Sequence, residues 1–124
     1  FEDDSIISFI ASTTEPANQG NALIVPKEAY ENLYDMPDDL LSQIHVFSKR
    51  LAIAMKAVYG CDGVSIRQHN EPAGYQHVWH YHVHVMPRYD GDDLYLHFNE
   101  QTEADPVVRA GYAQQLRDYF ANNQ

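Results

Sequence analysis

The chain has 124 residues, 44% of them hydrophobic, with 18 acidic against 8 basic side chains and a formal net charge of −10 at pH 7. That length and apolar content suit one domain, spanning residues 1–124, with a buried core, while so few and scattered Lys and Arg argue against nucleic acid as a partner. The single cysteine, Cys61, excludes an internal disulfide and suits a reducing compartment; no apolar run approaches a membrane span, and the start Phe1-Glu2-Asp3-Asp4 is acidic where a signal peptide is basic, so the expected location is cytoplasmic.

Ile6 to Ile10 reads as a short apolar strand, followed by a polar turn from Ser12 to Gly20. Leu23-Ile24-Val25 makes a second strand that Pro26, having no N–H, stops. Residues 38 to 59 predict a helix, because Leu40, Ile44, Phe47, Leu51, Met55 and Val58 recur at three- or four-residue steps. Asp38 and Asp39 stand at its positive end and Gly60 follows its last turn. Val64 to Arg67 and Val78 to Met86 predict two more strands. Asp105-Pro106 opens a second helix, about 106–121, with Val108, Tyr112, Gln115 and Tyr119 on one side. Strands with two helices imply an α+β domain with a mainly antiparallel sheet.

Chemistry concentrates in residues 76 to 88, where His80, His82 and His84 fall at every second position. Alternation along a strand sends the three imidazoles to one face and Tyr81, Val83 and Val85 to the other. Imidazole is a poor strand filler, so packing is a weak explanation for three in register. A zinc site is the rival reading, since two such histidines can grip one ion. All three converge poorly, because His80 and His84 would stand about 13 Å apart at ~3.3 Å per residue.

The run His80-Tyr81-His82-Val83-His84-Val85-Met86 resembles the signature of the histidine triad (HIT) family of nucleotide hydrolases and transferases. The likeness extends to Phe1–Asp4 with the strand after it, to Gly20-Asn21-Ala22-Leu23-Ile24-Val25-Pro26-Lys27, to Asn70–Gln76 and to Pro87-Arg88-Tyr89 with Gly91-Asp92. It implies a sheet of about five strands per subunit, continued across a two-fold axis in a homodimer, and a small-molecule nucleotide as the partner. The implied reaction is attack on an α-phosphorus, giving a covalent nucleotidyl-histidine that water or another acceptor cleaves.

The resemblance makes His82 the nucleophile, His80 its orienting partner, and His84 a contact to phosphoryl oxygens or a proton donor to the leaving group. Gln76 would approach the bridging or phosphoryl oxygens, and His77 stands where many members carry Ser or Thr beside the leaving group. Gly74 would relieve crowding where backbone approaches phosphate. His69 and Asn70 lie where the family places an amide near the phosphates, Asn21 replaces a frequent His, and Thr13 stands at the ribose-binding position. No CxxC pair is present, so neither structural zinc nor any cofactor is expected. Two alternatives stay open: a zinc hydrolase using two of the triad histidines, and a catalytically weak nucleotide-binding protein, for which Asn21 supplies the motive.

Overall fold

A computed structural model describes residues 1–97 and 100–123. The chain runs β1 (Ile6–Ile10), β2 (Thr13–Thr14), β3 (Ala22–Pro26), α1 (Asp38–Tyr59), β4 (Gly63–Arg67), β5 (Val83–Arg88), β6 (Thr102–Glu103) and α2 (Pro106–Asn122). Four strands form one antiparallel sheet in the order β1-β3-β5-β4, and β2 pairs with β6 in a separate two-stranded ladder. This is the α+β architecture expected, with the strands divided between a sheet and a small ladder.

The sheet has two unlike faces because strand side chains alternate. Ile6, Ile10, Ala22, Ile24, Val83 and Val85 are buried on one face, where Ile44, Phe47, Leu51 and Met55 of α1 close the core. Burying each such aliphatic or aromatic side chain is worth about 1.5–3 kcal/mol, so the helix stripe read from the sequence is what seals this layer. Helix α1 starts after Pro37 with Asp38 and Asp39 in its first turn and ends at Gly60, whose φ of 67° places it in the left-handed region. Asp105 caps α2 by accepting from the N–H groups of Val107 and Val108.

Two elements depart from the sequence reading. The inner side of α2 is Tyr112, Ala113, Leu116, Tyr119 and Phe120 rather than the stripe through Val108 and Gln115, since Leu116 is the helix residue driven into the core and Gln115 is exposed. The strand expected from Val78 begins only at Val83, and Val78 to His80 form a bend. Pro26 ends β3 and has no N–H to extend the ladder, while the Tyr81 N–H goes to the Tyr30 carbonyl at 2.7 Å.

The outer edge of β1 is covered by the amino-terminal residues, through Ser8 N–H to Phe1 O at 2.8 Å and Asp3 N–H to Ile6 O at 3.0 Å. Strand β4 forms the opposite edge. No helix among the described residues is long and apolar enough to cross a membrane.

Gly20 fixes how α2 meets the turn before β3. Its φ is +87°, and a Cβ there would lie 2.8 Å from Tyr112 Cδ1 and 2.9 Å from Tyr59 Cε2. We expect Gly20→Ala to cost about 2–4 kcal/mol, combining left-handed backbone strain with overpacking. Urea unfolding measures it, and a loss under about 0.5 kcal/mol would mean that the two rings give way freely.

Candidate active site

The face of the sheet turned away from α1 carries a row of side chains that crosses all four strands. Phe9 on β1 pairs with Leu23 on β3, Leu23 with His84 on β5, and His84 with Arg67 on β4. Directly paired residues of antiparallel strands project on the same face, so this row runs from aromatic and aliphatic through imidazole to guanidinium. It floors a cleft of about 660 Å³ whose walls include Val25, Thr13, Asn21, His69, His77, Val78, His80 and His82. That volume lies in the range that holds a small organic ligand.

The three triad histidines meet in this cleft, although His84 alone lies within a strand. His80 Nε2 donates to the Pro26 carbonyl at 2.8 Å, and His82 Nδ1 donates to the His80 carbonyl at 2.8 Å. A carbonyl oxygen only accepts, so each of these ring nitrogens carries the proton. In the uncharged form of His82 this places the lone pair on Nε2. The His82 and His84 rings stand 5.0 Å apart at 76°, edge to face, and His69 lies 6.1 Å beyond His84.

Burial, reinforced by His82, Arg67 and His69, lowers the His84 pKa to about 3, so this imidazole is neutral at physiological pH. Its Nδ1 is buried with no hydrogen-bond partner among the described residues. His69 is lowered as well, by burial first and then by Arg67 and the neighbouring histidines. Arg67 is held by Glu15, with Nη2 at 3.2 Å from Oε1, and both side chains are nine-tenths or more buried. Gln101 Nε2 donates to the same carboxylate oxygen at 3.0 Å.

Of the residues expected at the site, His69, His77, Thr13 and Asn21 line the cleft with the triad. Asn21 donates to the Thr13 carbonyl at 3.2 Å and keeps Oδ1 buried and without a partner among the described residues. Gln76, Asn70 and Gly74 are placed elsewhere. The Gln76 amide is turned into the loop, where Nε2 donates to the carbonyls of Glu31 at 2.6 Å and Val78 at 3.1 Å, and Oε1 accepts from the Glu71 N–H at 2.8 Å. With those bonds made, it ties the 71–78 turn to residues 31–32 instead of facing the cleft.

Asn70 does similar work, accepting from the Leu33 N–H at 2.9 Å and exchanging amide bonds with Gln68. Gly74 sits in a short 3-10 turn where an added Cβ would meet no protein atom within 4 Å. The left-handed positions of this turn are Glu71 and Tyr75, with φ of 65° and 68°.

Arg67, Glu15 and Gln101 are cleft residues that the sequence did not single out. A basic residue ending a strand is too common a signal, and its pairing with His84 depends on a long intervening loop. Phe9, Leu23 and Val25 could have been assigned to the site, since they alternate with the buried members of their strands.

A family model of the HIT domain matches residues 1–91. An uncharacterised HIT-like protein of Methanocaldococcus jannaschii is 35% identical over 105 residues, which are 85% of this chain and 79% of that protein. An adenosine 5'-monophosphoramidase of Saccharomyces cerevisiae is 38% identical over 76 residues, covering 61% of this chain and 46% of that protein. The crystal structure of a HIT-like protein involved in cell-cycle regulation from Bartonella henselae superposes with a TM-score of 0.81 at 28% identity, over 95% of this chain and 82% of that one. The matched segment holds the cleft row and all three triad histidines, and this chain belongs to the HIT domain family.

Proposed function

We propose that the chain is a nucleotidyl hydrolase or transferase that works through a nucleotidyl group carried on His82 Nε2. The observation that carries this reading is the chain of donated protons, His80 to Pro26 O and His82 to His80 O, each at 2.8 Å. It holds His82 in the tautomer whose free lone pair lies at Nε2, as a nucleophile at phosphorus requires. The apolar end of the cleft, with Phe9, Leu23 and Val25, suits the faces of a nucleobase, and the yeast relative's phosphoramidase activity is chemistry of this kind.

In the first step a bond forms between Nε2 and the α-phosphorus while the bond to the leaving group breaks, the leaving group departing with the electron pair. In the second, water or another acceptor attacks phosphorus, the N–P bond breaks, its electron pair returns to Nε2 and the acceptor gives up a proton. His80 positions His82. His84, neutral because it is buried, serves as a hydrogen-bonding group toward a phosphoryl oxygen better than as an acid. His77 stands exposed at the cleft rim.

In excess EDTA, wild type should hydrolyse a fluorogenic adenosine phosphoramidate, and His82→Asn should fold and bind AMP while turning over on the order of 10⁴-fold more slowly. Quenched wild type should carry an acid-labile nucleotidyl group on the peptide containing His82. Retention of more than a few percent of activity, a label on another histidine, or activity that EDTA abolishes and Zn²⁺ restores would each sink the proposal.

The neutral state of His84 gives a second test. Its pKa falls from 6.5 to about 3 on folding, so the unfolded chain takes up that proton first. The associated stability is fully present above about pH 6.5 and is lost progressively as the pH falls toward 3. Between pH 7 and 4, wild type should therefore lose on the order of 2–3 kcal/mol more than His84→Asn, since other titrating groups are common to both. Parallel stability curves in urea titrations would show that His84 is not held neutral by burial.

A further inference from the structure

The cleft contains a buried arginine, ion-paired with Glu15, that the His82 chemistry does not use. Arg67 is the single Lys or Arg among its described lining residues, and its side chain is 9% exposed. It stands at the end of the Phe9–Leu23–His84–Arg67 row, one strand beyond His84 and on the same face. A ligand whose base lies on the apolar end and whose α-phosphorus reaches His82 thus has Arg67 on the side away from the base.

Glu15 and Gln101 hold this guanidinium in place: Nη2 meets Glu15 Oε1 at 3.2 Å, and Gln101 binds the same oxygen at 3.0 Å. Burying an arginine is costly, and Glu15 compensates this one inside the cleft; a guanidinium has five N–H donors, so one held with Nη2 at the carboxylate is also equipped to engage an anion.

Resting on the nucleotidyl-transfer reading above, we infer that Arg67 forms a second anion subsite that receives the leaving group, so that the chain prefers phosphoanhydrides over phosphoramidates. The bond changes differ in the way this assignment needs. When the bond to a second phosphate breaks, the leaving oxygen keeps the electron pair and departs as an anion, which a guanidinium stabilises without any proton transfer. When a P–N bond breaks, the amine must take up a proton as it leaves. The buried neutral His84 is a poor source of it, and His77, the exposed imidazole of the cleft, sits at the rim. The cleft is thus better equipped to stabilise a departing phosphate than to protonate a departing amine.

The test compares kcat/KM for diadenosine triphosphate and adenosine 5'-phosphoramidate, which share the transferred adenylyl group, in wild type, Arg67→Gln and Arg67→Lys. The ratio of the two is taken on one preparation, so any loss of folded protein cancels. The triphosphate-to-phosphoramidate ratio should fall about 30-fold in Arg67→Gln and less in Arg67→Lys, which keeps the charge. A parallel fall on both substrates would mean that Arg67 serves the α-phosphate and would overturn the inference, as would an unchanged ratio.

Titration of wild type with ADP and AMP in metal-free buffer supplies a reading that needs no variant and no turnover. ADP should bind about 10-fold or more tightly than AMP, and equal affinities would overturn the inference. Wild type inert toward both substrates would refute the nucleotidyl-transfer reading, and the ADP-to-AMP difference would then decide the subsite by itself.

Discussion

The end of β3 at Pro26 governs the geometry of the cleft. A proline there can offer β5 a carbonyl but no N–H, so the ladder between these strands stops short of the first two triad histidines. The Pro26 carbonyl is taken instead by His80 Nε2, and the backbone that would have continued as strand turns so that the His80 carbonyl faces the His82 ring. One missing donor therefore aligns two imidazoles and sets the tautomer of the second. A residue with an N–H at position 26 could have extended the ladder and drawn the His80 segment flat against β3.

The same strands that present this site keep their other face under α1, and the division follows from alternation. Ile24 and Val83 face the helix while Leu23 and His84 face the cleft, one residue away along the same backbone. The packed side gives the polar side its rigidity, because moving His84 along the cleft would drag Val83 and Val85 through a core in which both are buried. Rigidity matters for a neutral imidazole in a desolvated row, which stabilises charge at phosphorus by being already in place.

Much of this was legible beforehand. The stripe of α1 and the short strands at Ile6–Ile10 and Leu23–Val25 follow from periodicity, and the triad spacing told which side chains belong together. The extent of β5 was not legible, since it depends on what its partner can donate. Arg67 was not legible for a similar reason: its approach to His84 is a property of the β4–β5 register, set across the 15 residues from Gln68 to His82. The inner face of α2 was misread because its stripe mixes tyrosines with polar residues, and Leu116 fits a face displaced from the one through Gln115.

Gln76 has a structural task in the turn before the triad. The turn before the triad contains two non-glycine residues at positive φ, Glu71 and Tyr75, and each such position costs of order 1–3 kcal/mol unless its surroundings hold it. Gln76 follows Tyr75 directly and spends its amide on the backbone of Glu31, Val78 and Glu71, while Tyr34 and Asn70 add bonds between the same two segments. The strain is thus offset by a network with its centre at Gln76, and its effect is to deliver Tyr75 and His77 to the cleft from either side of a buried amide. The amide of Gln76 thus serves the geometry of the turn itself.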